Sequence, residues 1–186
     1  MQIGFYFDQT RCTGCGACQV ACKDWHDIDA GPEKWMRLAY TEKGKFPDVF
    51  VGYLVSPCWH CKDPVCMPAC PVKAISKRDK DGIVLVDENA CLGNQACDVK
   101  CLKACPYDAP QFGETAGAKM IKCNFCVDRW EQGKLPSCVE ACPTRALDAG
   151  ELDDLTAKYG SCTHAEGFKY SERVMPSVTF KPKIPK

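Results

Sequence analysis

The chain has 186 residues, with 24 Lys and Arg against 24 Asp and Glu and a formal net charge of zero. With no basic run outside its last few residues it offers little to a phosphate backbone, which argues against a nucleic-acid partner. The longest apolar runs, such as VFVGYLV at 49–55, are far too short to span a bilayer, so any membrane attachment is expected to run through a partner.

The N-terminus, MQIGFYFDQTRC, lacks the basic flank and long apolar core of a signal peptide. The expected location is therefore the cytoplasm, a membrane reached through partners, or export on a partner's signal. Cysteine is the compositional outlier, at 17 residues. A short chain this rich in cysteine is either disulfide-stapled or metal-bound. The count is odd, no secretion signal is visible, and many of the cysteines lie two residues apart, which suits convergence on metal better than pairing across a fold.

Along the chain the cysteines fall into four groups of four, with Cys162 apart. An alternating strand, FYFDQTRC, leads into the first: Cys12, Cys15, Cys18 and Cys22, spaced C-x2-C-x2-C-x3-C. Gly14 and Gly16 lie between its ligands, where a loop wrapping a cluster needs positive φ. The second group is CWHCKDPVCMPACP, with Cys58, Cys61, Cys66 and Cys70. From its end, CPVKAISKRDKDGIVLVDENAC reads as strand, Asp-Gly turn and strand, a hairpin delivering the chain to the third group.

That third group, CLGNQACDVKCLKACP, holds Cys91, Cys97, Cys101 and Cys105 and departs from the regular spacing, with Asn94 where the second cysteine should stand. Two readings follow. Either Cys101 supplies the missing ligand through an expanded loop and the centre is 4Fe-4S, or Asn94 marks a vacant corner and the centre on Cys70, Cys91 and Cys97 is 3Fe-4S. The first is favoured because it keeps sixteen ligands. The fourth group, CNFCVDRWEQGKLPSCVEACP, holds Cys123, Cys126, Cys138 and Cys142, with no strand expected before it.

Zinc also accepts four thiolates, and paired C-x2-C alone does not separate zinc from iron-sulfur. Three thiols in one tight loop followed by x3-Cys-Pro is the bacterial ferredoxin pattern, in which the fourth cysteine serves the other cluster of a pair. Cys70, Cys105 and Cys142 are each followed by proline. The rule assigns Cys12, Cys15, Cys18 and Cys142 to one centre, and Cys22, Cys123, Cys126 and Cys138 to its partner. It assigns Cys58, Cys61, Cys66 and Cys105 to a third, and Cys70, Cys91, Cys97 and Cys101 to the fourth.

Matching segments, FYFDQTRC with VLVDENAC and CPVKAI with CPYDAP and CPTRAL, indicate a duplication. The expected fold is α+β and loop-rich, with short β-hairpins and short helices in two nested bacterial ferredoxin-like two-cluster units. Residues 1–52 and 115–150 form the outer unit and 53–114 the inserted one, while 151–186 is expected to dock on partners or to be disordered. VTFKPKIPK in particular alternates charge with proline and reads as unable to pack a core.

Other chemistry is scarce. There is no C-x-x-C-H for covalent haem, and GCGACQ is not a nucleotide fingerprint. His60 is expected to pack or hydrogen-bond beside a cluster rather than ligate it. His26 and His164 read as surface or packing residues, Trp25, Trp35, Trp59 and Trp130 as shields against water, and Cys162 as a free thiol. Asp8 and Asp87, at matching repeat positions, are expected to organise the turn into each cysteine loop.

RCTGCGACQVACKDWHD, the CxxCxxPxCxxxCP form of the second group, DGIVLVDENAC, CPYDAPQF and the KCNFCVDRWEQGKLPSCVEACPTRAL block together resemble the four-cluster electron-transfer subunit of dimethyl sulfoxide reductase-type molybdenum or tungsten enzymes. That family includes the iron-sulfur subunits of polysulfide, thiosulfate and arsenate reductases and of formate dehydrogenases. The likeness covers residues 1–150 and implies a non-catalytic subunit with a pterin-bearing catalytic partner and, often, a membrane anchor handling quinone. It also implies that the centre on the first group lies nearest the catalytic subunit and that on the third group at the far end, where family members vary the position held here by Asn94. A free-standing polyferredoxin and a zinc-stapled assembly module are the rival readings.

Overall fold

The computed structural model describes residues 1–184. In chain order it contains β1 (Ile3–Asp8), α1 (Ala17–Trp25), β2 (Arg37–Lys45), β3 (Asp48–Ser56), α2 (Cys66–Ala69), β4 (Ile75–Lys77), β5 (Val84–Val86) and α3 (Lys100–Ala104). There follow β6 (Gln111–Phe112), β7 (Met120–Ile121), α4 (Val127–Trp130), α5 (Ser137–Glu140), β8 (Leu147–Glu151), α6 (Leu152–Tyr159) and β9 (Val178–Lys181). This is the expected α+β, loop-rich architecture of ferredoxin-like two-cluster units.

β1 is buried along its whole length because both faces and both edges are covered. β8 pairs with it antiparallel, Phe5 opposite Ala149, and β9 pairs parallel, Phe5 opposite Val178. Ile3, Phe5 and Phe7 point to the cysteine-rich core, where Phe5 meets Phe125 and Trp59 at ring-centroid distances of 4.8 and 6.3 Å. Tyr6 points the other way and stacks on Tyr159 of α6, with the ring planes 4° apart. The alternation of a strand thus serves two layers at once.

The hairpin expected between the second and third groups is present as β4 and β5, Ile75 opposite Val86, with Gly82 of the Asp-Gly turn at φ +74. The expectation that no strand precedes the fourth group is corrected: β7 lies just before Cys123 and pairs with β6. At two residues each, these strands are too short for alternation to show in the sequence. A longer antiparallel hairpin, β2 and β3, carries the chain from the first group to the second, with Arg37 opposite Ser56 and Lys45 opposite Asp48.

The expectation that VTFKPKIPK cannot pack a core is corrected as well. Val178, Thr179 and Phe180 are 4%, 1% and 1% exposed, so this segment is an internal strand and not a loose end. Phe180 packs on Trp59 and Phe168, and Leu155 of α6 is buried against the sheet. Three apolar or β-branched residues suffice once a neighbour supplies the hydrogen-bonding edge, here β1. Pro185 and Lys186, the end of that tail, lie outside the described residues.

Candidate metal centres

The three Cys-Pro-x-x-Ala segments fold as one turn repeated three times. Lys73, Asp108 and Arg145 occupy the same place in it, with φ of 53, 49 and 54. In each, that residue's amide donates to the carbonyl of the preceding cysteine, at 3.2, 3.4 and 3.2 Å. Proline removes one amide and fixes φ, so the chain turns at once. The alanine amide then reaches back to sulfur, Ala74 to Cys70 Sγ and Ala146 to Cys142 Sγ, each at 3.3 Å. A backbone N–H aimed at sulfur favours the thiolate. At Cys142, burial pushes the thiol up, but donors from Thr144, Ala146 and Leu147 prevail and its pKa is lowered.

The two leading aspartates behave alike. Asp8 accepts from the Thr10 amide at 2.8 Å and Asp87 from the Asn89 amide at 2.9 Å, and each carbonyl accepts from the first cysteine of its group, Cys12 or Cys91. Each also ties its own amide to a Cys-Pro-x-x-Ala turn, Asp8 to Ala146 and Asp87 to Ala74, both at 2.8 Å. The first group is thereby fastened to the fourth and the third to the second.

Three quartets line cavities. Cys12, Cys15, Cys18 and Cys142 face one. Cys58, Cys61, Cys66 and Cys105 face another, and Cys70, Cys91, Cys97 and Cys101 a third. The remaining four meet where α1 packs on α5. There Cys138 is pushed well above the ordinary thiol range by burial and by Cys123, Cys126 and Cys22, and Cys22 rises to about 12 through burial and Cys126. Among the described residues no three Cys, His, Asp or Glu side chains converge tightly enough for one metal ion. Each of the three cavities is instead lined by four thiols, the ligand number of an iron-sulfur cubane.

Gly14 has φ +71, and a Cβ there would stand 2.3 Å from the Tyr53 ring, so the first loop needs glycine for both dihedral and space. Asn94 does not line the third cavity. Its side chain clamps the enlarged third loop, donating to the carbonyls of Gly113 (3.2 Å) and Thr115 (3.0 Å) and accepting from the Gly117 amide (2.9 Å). Cys101, 6% exposed on α3, lines the cavity with Cys70, Cys91 and Cys97, and burial raises its thiol to about 11.

Several residues beside the sulfurs were not legible in sequence. His26, expected as a surface or packing residue, lies with Nε2 3.2 Å from Cys126 Sγ and its ring 4.4 Å from that of Trp35. Ser137 Oγ approaches the same sulfur at 3.6 Å. His60 packs, as expected, beside the second group: it is fully buried, its Nδ1 accepts from the Val84 amide at 3.0 Å, and Phe125 meets it edge-on. Its carbonyl accepts from Gln2 and Ser177. Lys122 is 2% exposed. Trp35 and Trp59 are core packing; Trp25 is 43% exposed, with Arg129 over its ring at 4.4 Å. His164 is exposed, and the Cys162 thiol donates to its carbonyl at 3.5 Å, away from every quartet.

The buried side-chain atoms without a hydrogen-bond partner among the described residues are Trp35 Nε1, Arg37 Nη2, Trp59 Nε1 and His60 Nε2. All are N–H donors once His60 Nδ1 is an acceptor. A buried donor without an acceptor is costly, and inorganic sulfide set among these thiols supplies acceptors of the right kind. The residues therefore fit iron-sulfur clusters.

The chain matches models of the 4Fe-4S dicluster domain over residues 49–152 and 11–74. It is 42% identical to the B subunit of anaerobic dimethyl sulfoxide reductase from Escherichia coli, an alignment covering 97% of this chain and 89% of that protein. It is 39% identical to the subunit of the same name from Haemophilus influenzae, with the same coverage. Protein NrfC of Escherichia coli is 36% identical over 83% of this chain and 67% of its own length.

Proposed function

The protein belongs to the family of four-cluster iron-sulfur subunits of dimethyl sulfoxide reductase-type oxidoreductases, and from that premise we propose that it conducts single electrons between a molybdenum- or tungsten-pterin catalytic subunit and a membrane anchor or other redox partner. It is a non-catalytic electron-transfer subunit with four 4Fe-4S clusters. When bound, such clusters exchange one electron at a time with little structural change over a wide range of potentials. The chain's own contribution is to hold them, to exclude water and to direct N–H groups at sulfur.

The ligand sets we assign are those of the cross-ligation rule: Cys12, Cys15, Cys18 and Cys142; Cys22, Cys123, Cys126 and Cys138; Cys58, Cys61, Cys66 and Cys105; Cys70, Cys91, Cys97 and Cys101. The observation that carries this is that three of these sets each line one cavity. The paired ties of Asp8 to Ala146 and Asp87 to Ala74 support two nested units, 1–52 with 115–150 around 53–114.

A partner on each side is favoured over a free-standing polyferredoxin by apolar exposure at both ends of the line. Val20, at 70%, and Trp25, at 43%, stand on the helix that carries Cys18 and Cys22. Val72, at 39%, and Leu92, at 44%, stand at the cavity of Cys91 and Cys97. No helix of the described residues is long and apolar enough to cross a membrane, so attachment through an anchor subunit is the reading proposed. Affinity purification from native membranes tests this: a co-purifying pterin protein is expected, and isolation as a lone brown protein would overturn it.

A further inference from the structure

Lys122 is a charged side chain shut inside the protein, 2% exposed, immediately before Cys123. Its Nζ donates to the carbonyl of Cys123 at 3.0 Å and to that of Val84. Val84 in turn gives its amide to His60 Nδ1, so the carbonyl that receives the ammonium is held in place. Among the described residues Lys122 forms no ion pair with a carboxylate. A buried cation without an anionic partner is strongly disfavoured, and an anion is expected nearby.

The anions on hand are the cysteine sulfurs of two centres. Lys122 lines the cavity of Cys58, Cys61, Cys66 and Cys105, where it is the charged side chain among apolar and thiol neighbours. Its chain neighbour Cys123 belongs to the other set, so Lys122 stands between the two. Two other cations face these sulfurs and each has a carboxylate beside it: Arg37, half-buried with Asp108 nearby, and Lys77, whose Nζ donates to the Cys61 carbonyl at 3.2 Å and which has Asp63 nearby.

We propose that Lys122 is the shared counter-ion of the two middle centres, holding their reduction potentials above those they would have among neutral neighbours and so keeping them accessible to electrons arriving from either end. The inference rests on the ligand sets proposed above. An added electron makes a cluster more negative, so a fixed cation in a medium of low dielectric favours the reduced form. A single buried charge at contact range is expected to shift that equilibrium about tenfold or more, which for a one-electron couple is about 59 mV.

The test is a potentiometric titration followed by low-temperature electron spin resonance on the intact complex, with iron analysis of the same samples. Lys122→Gln, which keeps N–H donors without the charge, and Lys122→Met, which keeps the bulk, are each expected to lower the potential of at least one middle centre by about 59 mV. Lys122→Arg is expected to stay near wild type, and the two end centres are expected not to move. Unshifted potentials in both neutral variants would overturn the inference, as would a shift in Met but not in Gln, which would make the effect one of hydrogen bonding. Loss of iron from both neutral variants with full iron in Lys122→Arg would also overturn it, assigning the charge to cluster retention. Wild-type iron short of four full clusters would instead bring down the ligand sets, a failure separate from unshifted potentials at full iron.

Discussion

His26 holds its Nε2 3.2 Å from the sulfur of Cys126, and 100 residues of chain separate the two. With its proton on Nε2 the ring donates to a ligand sulfur, withdrawing negative charge from it, and Trp35 covers the ring. His26→Phe keeps the packing and removes the donor. The centre on Cys126 is expected to become harder to reduce, while the centre on Cys91 stays unchanged, by spin-resonance titration. Equal potentials in both proteins would show the contact to be packing alone.

The irregular third loop divides labour between Cys101 and Asn94. Cys101→Ser is expected to lower the iron content and to turn the end centre into a three-iron species, or to remove it, with a matching change in the spin-resonance spectrum. Asn94→Ala is expected to leave the iron count intact but to cost about 0.5–1.5 kcal/mol, the net worth of partly exposed hydrogen bonds on the loop. A three-iron signal already present in the wild-type protein would revive the vacant-corner reading.

β9 ties the C-terminal segment to β1, and Phe180 fills the space beside Trp59 and Phe168. Phe180→Ala is expected to destabilise the loaded protein by about 3–5 kcal/mol, as large aromatic deletions from a core do. Denaturation followed by loss of visible absorption measures it. A loss below about 1 kcal/mol would mean that the strand is dispensable.

Removing iron should remove the fold. Most helices are four or five residues long, too short to persist alone, and the main apolar core is interleaved with cysteine side chains. Anaerobic chelation is expected to abolish near-ultraviolet circular dichroism and to expose apolar surface to a hydrophobic dye. A chelated protein that keeps native dichroism would show that the polypeptide stands without its cofactors.

The sequence alone determined what depends on local spacing. Three thiols within one loop, a Cys-Pro stop and an Asp-led strand are short-range signals. They defined the quartets, the β4–β5 hairpin, the α+β fold and the family resemblance, because a cluster constrains the few residues that wrap it. Tertiary structure decided what depends on residues brought together from far along the chain. The contact of His26 with Cys126, the burial of Lys122, the clamp made by Asn94 and the place of Val178–Lys181 beside β1 have no local signature. A histidine looks the same in sequence whether it faces water or sulfur, and a four-residue strand becomes buried only when another strand offers its open edge. Charge and hydrogen bonding act through space, and only the folded chain sets those distances.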